Sequence, residues 1–312
     1  MHSGIVRAVS NVSLDVDKGE IVGIVGESGC GKTALCLSLL RLIPQPPGTI
    51  EAAGAFFKGS DLLACSREEI RRIRGNRISM IFQDPLTSLN PYIKVFDQLI
   101  EPLQVHRGLS KKQCLPLARA ALDEVGLGES ANKLSAYPHE FSGGMRQRIM
   151  IAMALITKPD ILIADEPTTA LDVTVQAQIL SLMQSLLRKH GMSVIFITHN
   201  LGIVAHLCNR VLVMYAGRIM ESAPVKRLFH ETRHPYTRAL IKSMPSAHAT
   251  GERLATIRGM PPNLIAPIPG CPFADRCEFV KEICRNAPIE LKEVAENHWS
   301  ACRRVINGDL TL

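Results

Sequence analysis

The sequence predicts an α/β domain on a mainly parallel sheet, with an inserted helical subdomain and a small, irregular, cysteine-rich C-terminal extension. Three observations carry this. Short apolar runs, read as buried strands, alternate with helix-like spacing over residues 1–245. Between Asp84 and Thr157 the alternation gives way to an almost wholly helical pattern. After Pro245 the composition changes. Pro261, Pro262, Pro267, Pro269 and Pro272 crowd a short stretch, and four of the nine cysteines lie in the same tail. The expected division is 1–245 and 246–312, with the helical subdomain at about 84–157.

Each element has its own local reason. Glu20–Val25 is apolar and ends at glycine, so it reads as a buried strand. Lys32–Leu42 has helical spacing and stops before the breaker cluster Pro44–Gly48. Ile78–Phe82, Ile161–Ala164, Val194–Thr198 and Arg210–Tyr215 are further buried strands, and Val173–Lys189 is a helix between two of them. Tyr215-Ala216-Gly217-Arg218 reads as a turn between short strands, and Val9–Val16 can supply one strand at the start. There is no internal repeat.

Bulk properties exclude several classes. The chain has 312 residues, 46% hydrophobic but only 4% aromatic, so its core must be aliphatic. No apolar stretch reaches the roughly 18 residues of a membrane helix. The N-terminus lacks the basic flank and apolar block of a signal peptide. The chain is expected in the cytosol, where nine cysteines do not form a disulfide framework. Residues 246–312 hold eight Lys/Arg and eight Asp/Glu, so the whole net charge of +7 lies in 1–245. The run Arg67, Arg71, Arg72, Arg74 and Arg77 contains no aromatic residue, which argues against nucleic acid and for a solvated helix face.

Three motifs carry chemistry. Gly26, Glu27, Ser28, Gly29, Cys30, Gly31, Lys32 and Thr33 fit G-x-x-x-x-G-K-[ST], between a strand and the helix that continues through Ala34. Glycines there let backbone N–H groups face phosphate oxygens, and the helix start adds its positive dipole end. Lys32 reaches the outer phosphates, and Thr33 offers a hydroxyl to Mg²⁺. Second, the strand Ile161–Ala164 runs into Asp165 and Glu166. Asp165 is placed for the Mg²⁺ shell and Glu166 for polarising a water that attacks the γ-phosphate. Third, Phe141-Ser142-Gly143-Gly144-Met145-Arg146-Gln147 reads as an N-cap serine and two glycines opening a helix, a second anion-binding helix start.

With these in order, the chain resembles an ABC ATPase, a P-loop NTPase, along nearly its whole length. Gly26–Thr33 is similar to the Walker A loop and Ile161–Glu166 to the Walker B strand. Phe141–Gln147 is similar to the signature L-S-G-G-Q, with phenylalanine for leucine and methionine for glutamine. Gln83 resembles the Q-loop residue, with a place at Mg²⁺. Ala170-Leu171-Asp172 resembles the D-loop, and His199 the switch histidine. The resemblance implies Glu166 as catalytic base and His199 at the γ-phosphate. It also implies that Ser142, Gly143, Gly144 and Met145 cap the ATP held by a partner's Walker A loop.

Phe82–Pro91, Thr168–Gln176, His234-Pro235-Tyr236-Thr237 and the cysteine tail narrow the resemblance to the ATPases of oligopeptide/dipeptide importers. Ser-Gly-Gly-Met suggests the D-type subunit. The implied partners are a second, unlike ATPase, two transmembrane permeases and an extracytoplasmic solute-binding protein, with this chain peripheral on the cytoplasmic face of the cell membrane. Nickel and glutathione importers share the branch. A soluble ABC ATPase of DNA repair is a rival, but it carries coiled coils or zinc insertions inside the core, where this chain has neither.

Three further expectations follow. Cys271, Cys277, Cys284 and Cys302 are spaced C-x₅-C-x₆-C-x₁₇-C without a short zinc knuckle, which suits a [4Fe–4S] cluster as well as zinc, and the resemblance to the importer branch implies the cluster. Cys30, at a helix N-terminus beside Lys32, is expected to be acidic and alkylatable, with ATP protecting it. Finally, no Phe, Tyr or Trp precedes Gly26 and His2 is the only ring there, so the strand with an adenine-stacking ring is expected upstream of Met1.

Overall fold

Ile21–Val25 presents no polar face, so it goes inside: four of its five residues are buried. It pairs in parallel with Arg210–Tyr215, Val22 opposite Arg210 and Val25 opposite Val213. The computed structural model describes residues 4–84, 88–128, 134–169, 171–244 and 256–312. Within them the chain forms two compact units. The first is Met1–Asp15, Ile21–Ser38 and Ile197–Leu312; the second is Val16–Glu20 and Leu39–Phe196.

In the first unit, Arg210–Tyr215 turns back through Ala216 and Gly217 into Arg218–Pro224, an antiparallel partner. Both turn residues have positive φ, 49° and 77°, the combination that matches the twist of two strands joined by a two-residue loop. A Cβ on Gly217 would stand 2.8 Å from the Ala8 carbonyl oxygen. The sheet then gains strands that the sequence did not announce. His298–Ser300 pairs antiparallel with Arg218–Pro224, Trp299 opposite Ser222, and Lys292–Ala295 pairs outside it. The described tail is irregular over 256–273, as its prolines lead one to expect, but its end extends the sheet. Its Phe273 packs into the unit's core against Tyr215 and Tyr236, with ring centroids 5.5 and 5.2 Å away.

In the second unit, Ile78–Ile81 pairs in parallel with Ile161–Asp165, Ile78 opposite Ile161. Between them in sequence lie the helices Val95–Arg107, Lys111–Glu124 and Gly143–Leu155, which pack on one another. Val173–His190 is the longest helix described. Asp172 caps its start by accepting from Val175 N (2.9 Å), Gly191 ends it in the left-handed region, and Arg188, Lys189 and His190 face its negative end.

Two expectations fail here. Val9–Val16 forms no strand. Its backbone bonds form no ladder: Ser10 N donates to Gly217 O and, just before it, Arg7 N to Leu264 O, while Asp15 O accepts from the Arg210 side chain, and an alternating pattern without a partner ladder does not make a strand. The arginine run is only partly a solvated face. Arg72 pairs with Glu68 on the helix Arg67–Ile73, but Arg74 donates to the carbonyls of Leu40 and Arg41, and Arg77 binds Asp160 at 2.5 Å. The run ties chain segments together.

Candidate nucleotide site

Glycine is required twice in the loop after Ile21–Val25. Gly26 and Gly31 have φ of 156° and 104°, and a Cβ would lie 2.1 Å from Met214 O and 2.2 Å from Ala8 O respectively. Gly29, at φ 75°, faces open space. The loop runs into Lys32–Leu39, whose first turn carries no acidic residue, so its positive end is unopposed. Lys32 is buried, and its Nζ donates to the carbonyls of Gly26 (2.9 Å) and Glu27 (3.0 Å), bracing the loop from inside. Thr33 is exposed, and Ala34 follows it half-buried.

Cys30 corrects the sequence reading. It is 5% exposed, and burial raises its thiol pKa, outweighing the nearby Lys32 ammonium. Helix start and cation both favour a thiolate, but desolvation decides. The thiol is a packed loop side chain, and its raised pKa runs opposite to the acidity expected of it.

Glu27 is held by residues far away in sequence. Its carboxylate takes two bonds from Arg276, at 2.7 and 3.0 Å, and its backbone N–H donates to the Tyr236 hydroxyl at 3.0 Å. Burial alone would lower the Arg276 pKa, but its hydrogen bonds to Glu27 and Tyr215 outweigh that and raise it. Tyr236 is set by the start of the helix Pro235–Lys242. There His234 Nδ1 accepts from Tyr236 N, and burial holds His234 neutral with a pKa near 3. His199 lies in the same unit and is exposed, directly after the strand Ser193–Thr198. The next residue, Asn200, caps the helix Leu201–Leu207.

The second unit holds the carboxylates. Asp165 ends Ile161–Asp165 and is 2% exposed. Glu166 is half-buried in the left-handed region, φ 45°. Its Oε2 accepts from Thr169 Oγ1 (2.8 Å) and Gln83 Nε2 (3.3 Å), so Gln83 and Glu166 meet as the sequence reading requires of one site. Ser142 caps Gly143–Leu155, its hydroxyl accepting from Met145 N at 3.4 Å. Gly144 has a packing reason as well as an electrostatic one, since a Cβ there would meet Val175 at 2.8 Å. Asp172 turns out to be a helix cap. Ala170, Pro85, Leu86, Thr87 and His2 lie outside the described residues.

In the tail, Cys271, Cys277, Cys284 and Cys302 line one small cavity. Burial pushes the Cys271 thiol up to about 12 and Cys277 up to about 11, and the neighbouring thiols add to both. Burial also raises Cys302. Among the described residues, no group of three or more His, Cys, Asp or Glu side chains is placed to hold a metal ion.

Spacing in the sequence identified the loop, carboxylates and caps. It missed Arg276 altogether, noted Tyr215 only at a strand end and turn, and noted Tyr236 only within His234-Pro235-Tyr236-Thr237. Nothing local marks Arg276 as a partner of Glu27; only the fold brings it there.

Comparison with known proteins agrees with this geometry. The ABC transporter family model matches residues 9–169, and the model for the oligopeptide/dipeptide transporter C-terminal region matches 220–284. The chain is 51% identical over 283 residues to the dipeptide transport ATP-binding protein DppD of Bacillus subtilis, covering 91% of this chain and 84% of that one. It is 48% identical over 299 residues to the oligopeptide transport ATP-binding protein OppD of Salmonella typhimurium, covering 96% and 88%. A solved ATP-binding cassette, a dimer in a post-hydrolysis state with ADP and Pi, superposes with a TM-score of 0.63 at 27% identity, covering 72% of this chain and 94% of that chain. A chain with this phosphate loop, this Asp-Glu strand end and these relatives belongs to the ABC transporter family, as an ATP-hydrolysing subunit.

Proposed function

We propose that this chain powers the import of di- and oligopeptides, paired with a second, unlike ATPase beneath two transmembrane permeases that a solute-binding protein supplies. The observation that carries the reading is the tail. The region matching the oligopeptide/dipeptide transporter extension, residues 220–284, reaches the phosphate loop through Arg276, and beyond it His298–Ser300 joins the sheet. Nickel or glutathione import is the second reading. No helix among the described residues is long and apolar enough to cross a membrane. In this reading the permeases carry the translocation pathway and this chain sits peripherally on their cytoplasmic side.

In this reading Lys32, the loop amides and the start of Lys32–Leu39 bind the phosphates. Thr33, Asp165 and Gln83 would hold Mg²⁺, which when bound would neutralise charge on the phosphate oxygens. Glu166, steadied by Thr169, takes the proton of the attacking water, and His199 contacts the γ-phosphate. Ser142, Gly143, Gly144 and Met145, with Asp172 nearby in sequence to the carboxylates, serve the ATP of the partner subunit. A [4Fe–4S] cluster, preferred to zinc on the importer resemblance, would be held by Cys271, Cys277, Cys284 and Cys302, which line one cavity but are not gathered as a metal site among the described residues. Because burial raises the Cys271, Cys277 and Cys302 thiols, loading would release protons.

In reconstituted vesicles containing the unlike ATPase and both permeases, hydrolysis is expected to rise when peptide-loaded binding protein is added. Stimulation by nickel-loaded or glutathione-loaded binding protein alone would reassign the cargo. Full activity from the isolated chain would remove the need for a partner. Iron and sulfide analysis after anaerobic purification is expected to show about four of each per chain, as one such cluster requires; stoichiometric zinc without iron would sink the cluster.

A further inference from the structure

Arg276 reaches the phosphate loop from the far end of the sequence. It ends the 3-10 turn Ala274–Arg276, folded between Cys271 and Cys277 by bonds from Ala274 N to Cys271 O (3.0 Å) and from Cys277 N to Ala274 O (3.3 Å). That turn aims the guanidinium at Glu27, 249 residues earlier, in a two-bond fork of 2.7 and 3.0 Å. The remaining contacts lock the fork. Nη1 also donates to the Tyr215 hydroxyl at 3.0 Å, Nε to Arg258 O at 2.9 Å, and Nη2 to Ile257 O at 3.2 Å. The arginine side chain is 6% exposed and the Glu27 side chain 25%. A fork so placed is fixed in direction and shielded from solvent, unlike a surface pair.

Two consequences meet at Glu27. The first is charge. Glu27 puts a carboxylate inside a loop whose task is to receive phosphates, and an unpaired anion there would repel them. Arg276 supplies the counter-charge from the side. The second is shape. Arg276 holds the Glu27 carboxylate, Tyr236 holds its N–H, and Lys32 holds its carbonyl, so all three polar ends of this residue are engaged. Ser28 and Gly29 follow directly, and their amides can face phosphate only if Glu27 keeps its place.

We propose that Arg276 is a positioning residue of the nucleotide site, neutralising Glu27 and fixing the phosphate loop so that ATP affinity depends on the C-terminal extension. This rests on reading Gly26–Thr33 as the phosphate loop.

The test is calorimetric titration of the full chain with Mg-ATP, reading affinity and stoichiometry separately. Arg276→Gln is expected to weaken ATP roughly tenfold at unchanged stoichiometry, since it strands a shielded carboxylate beside the phosphates. In a Glu27→Gln background the same change is expected to cost less than about twofold, because no charge remains to neutralise. Arg276→Lys, which keeps the charge without the fork, is expected to fall between, and it carries the test if Arg276→Gln does not fold. Equal weakening in both backgrounds, a loss of stoichiometry in place of affinity, or no change would each overturn the proposal. Lys32→Ala is the control. If it too binds ATP normally, the phosphate-loop reading has failed; if it loses ATP while Arg276→Gln does not, only the positioning role has.

Discussion

Glu166→Gln is expected to cut steady-state ATP hydrolysis by roughly 10²–10⁴-fold, the usual contribution of a positioned general base. The substitution changes charge and little else. A glutamine oxygen can still accept from Thr169 Oγ1, which now binds Glu166 Oε2 at 2.8 Å, so the side chain keeps its place while losing its basicity. ATP binding should persist, because Lys32, Thr33 and Asp165 are untouched. Phosphate release and ATP titration on one preparation check both halves. A variant that cleaves ATP at the parent rate would take Glu166 out of the reaction.

Lys32→Ala is expected to lower ATP affinity by on the order of 10²-fold, the scale for removing one partner of a desolvated charge contact. Two losses coincide. The outer phosphates lose their ammonium, and the carbonyls of Gly26 and Glu27 lose the donor that spans them. Lys32→Arg should not restore binding, because a planar fork cannot replace a compact ammonium in a buried loop. Titration with a fluorescent ATP analogue decides it; parent-like affinity in Lys32→Ala would remove this lysine from the phosphate site.

What was legible in the sequence was what is local. The phosphate loop, the Asp165-Glu166 strand end and the Ser142 cap each fit within a few residues of backbone, and short-range rules set their conformation. The turn at Ala216-Gly217 was legible for the same reason. Burial was not legible. Cys30 has the neighbours of a reactive thiol and the environment of an inert one, and only the packing around it separates the two. The tail strands were missed because Lys292–Ala295 and His298–Ser300 span four and three residues, too few to show a period of two. The Glu27–Arg276 contact was missed because a single glutamate and a single arginine carry no signal until a fold joins them.

The backbone of Glu166 bears on how such an enzyme can be improved. Its φ of 45° suits asparagine or glycine far better than glutamate, and the mismatch costs folding on the order of 1 kcal/mol. A search for thermostabilising substitutions would therefore be drawn to this position. With Glu166 as the proposed base, it would return a sturdier protein without the carboxylate, one that scores well in a melting experiment and hydrolyses ATP far more slowly. Heat resistance and turnover are opposed at this residue, so selection for robustness has to look elsewhere in the chain.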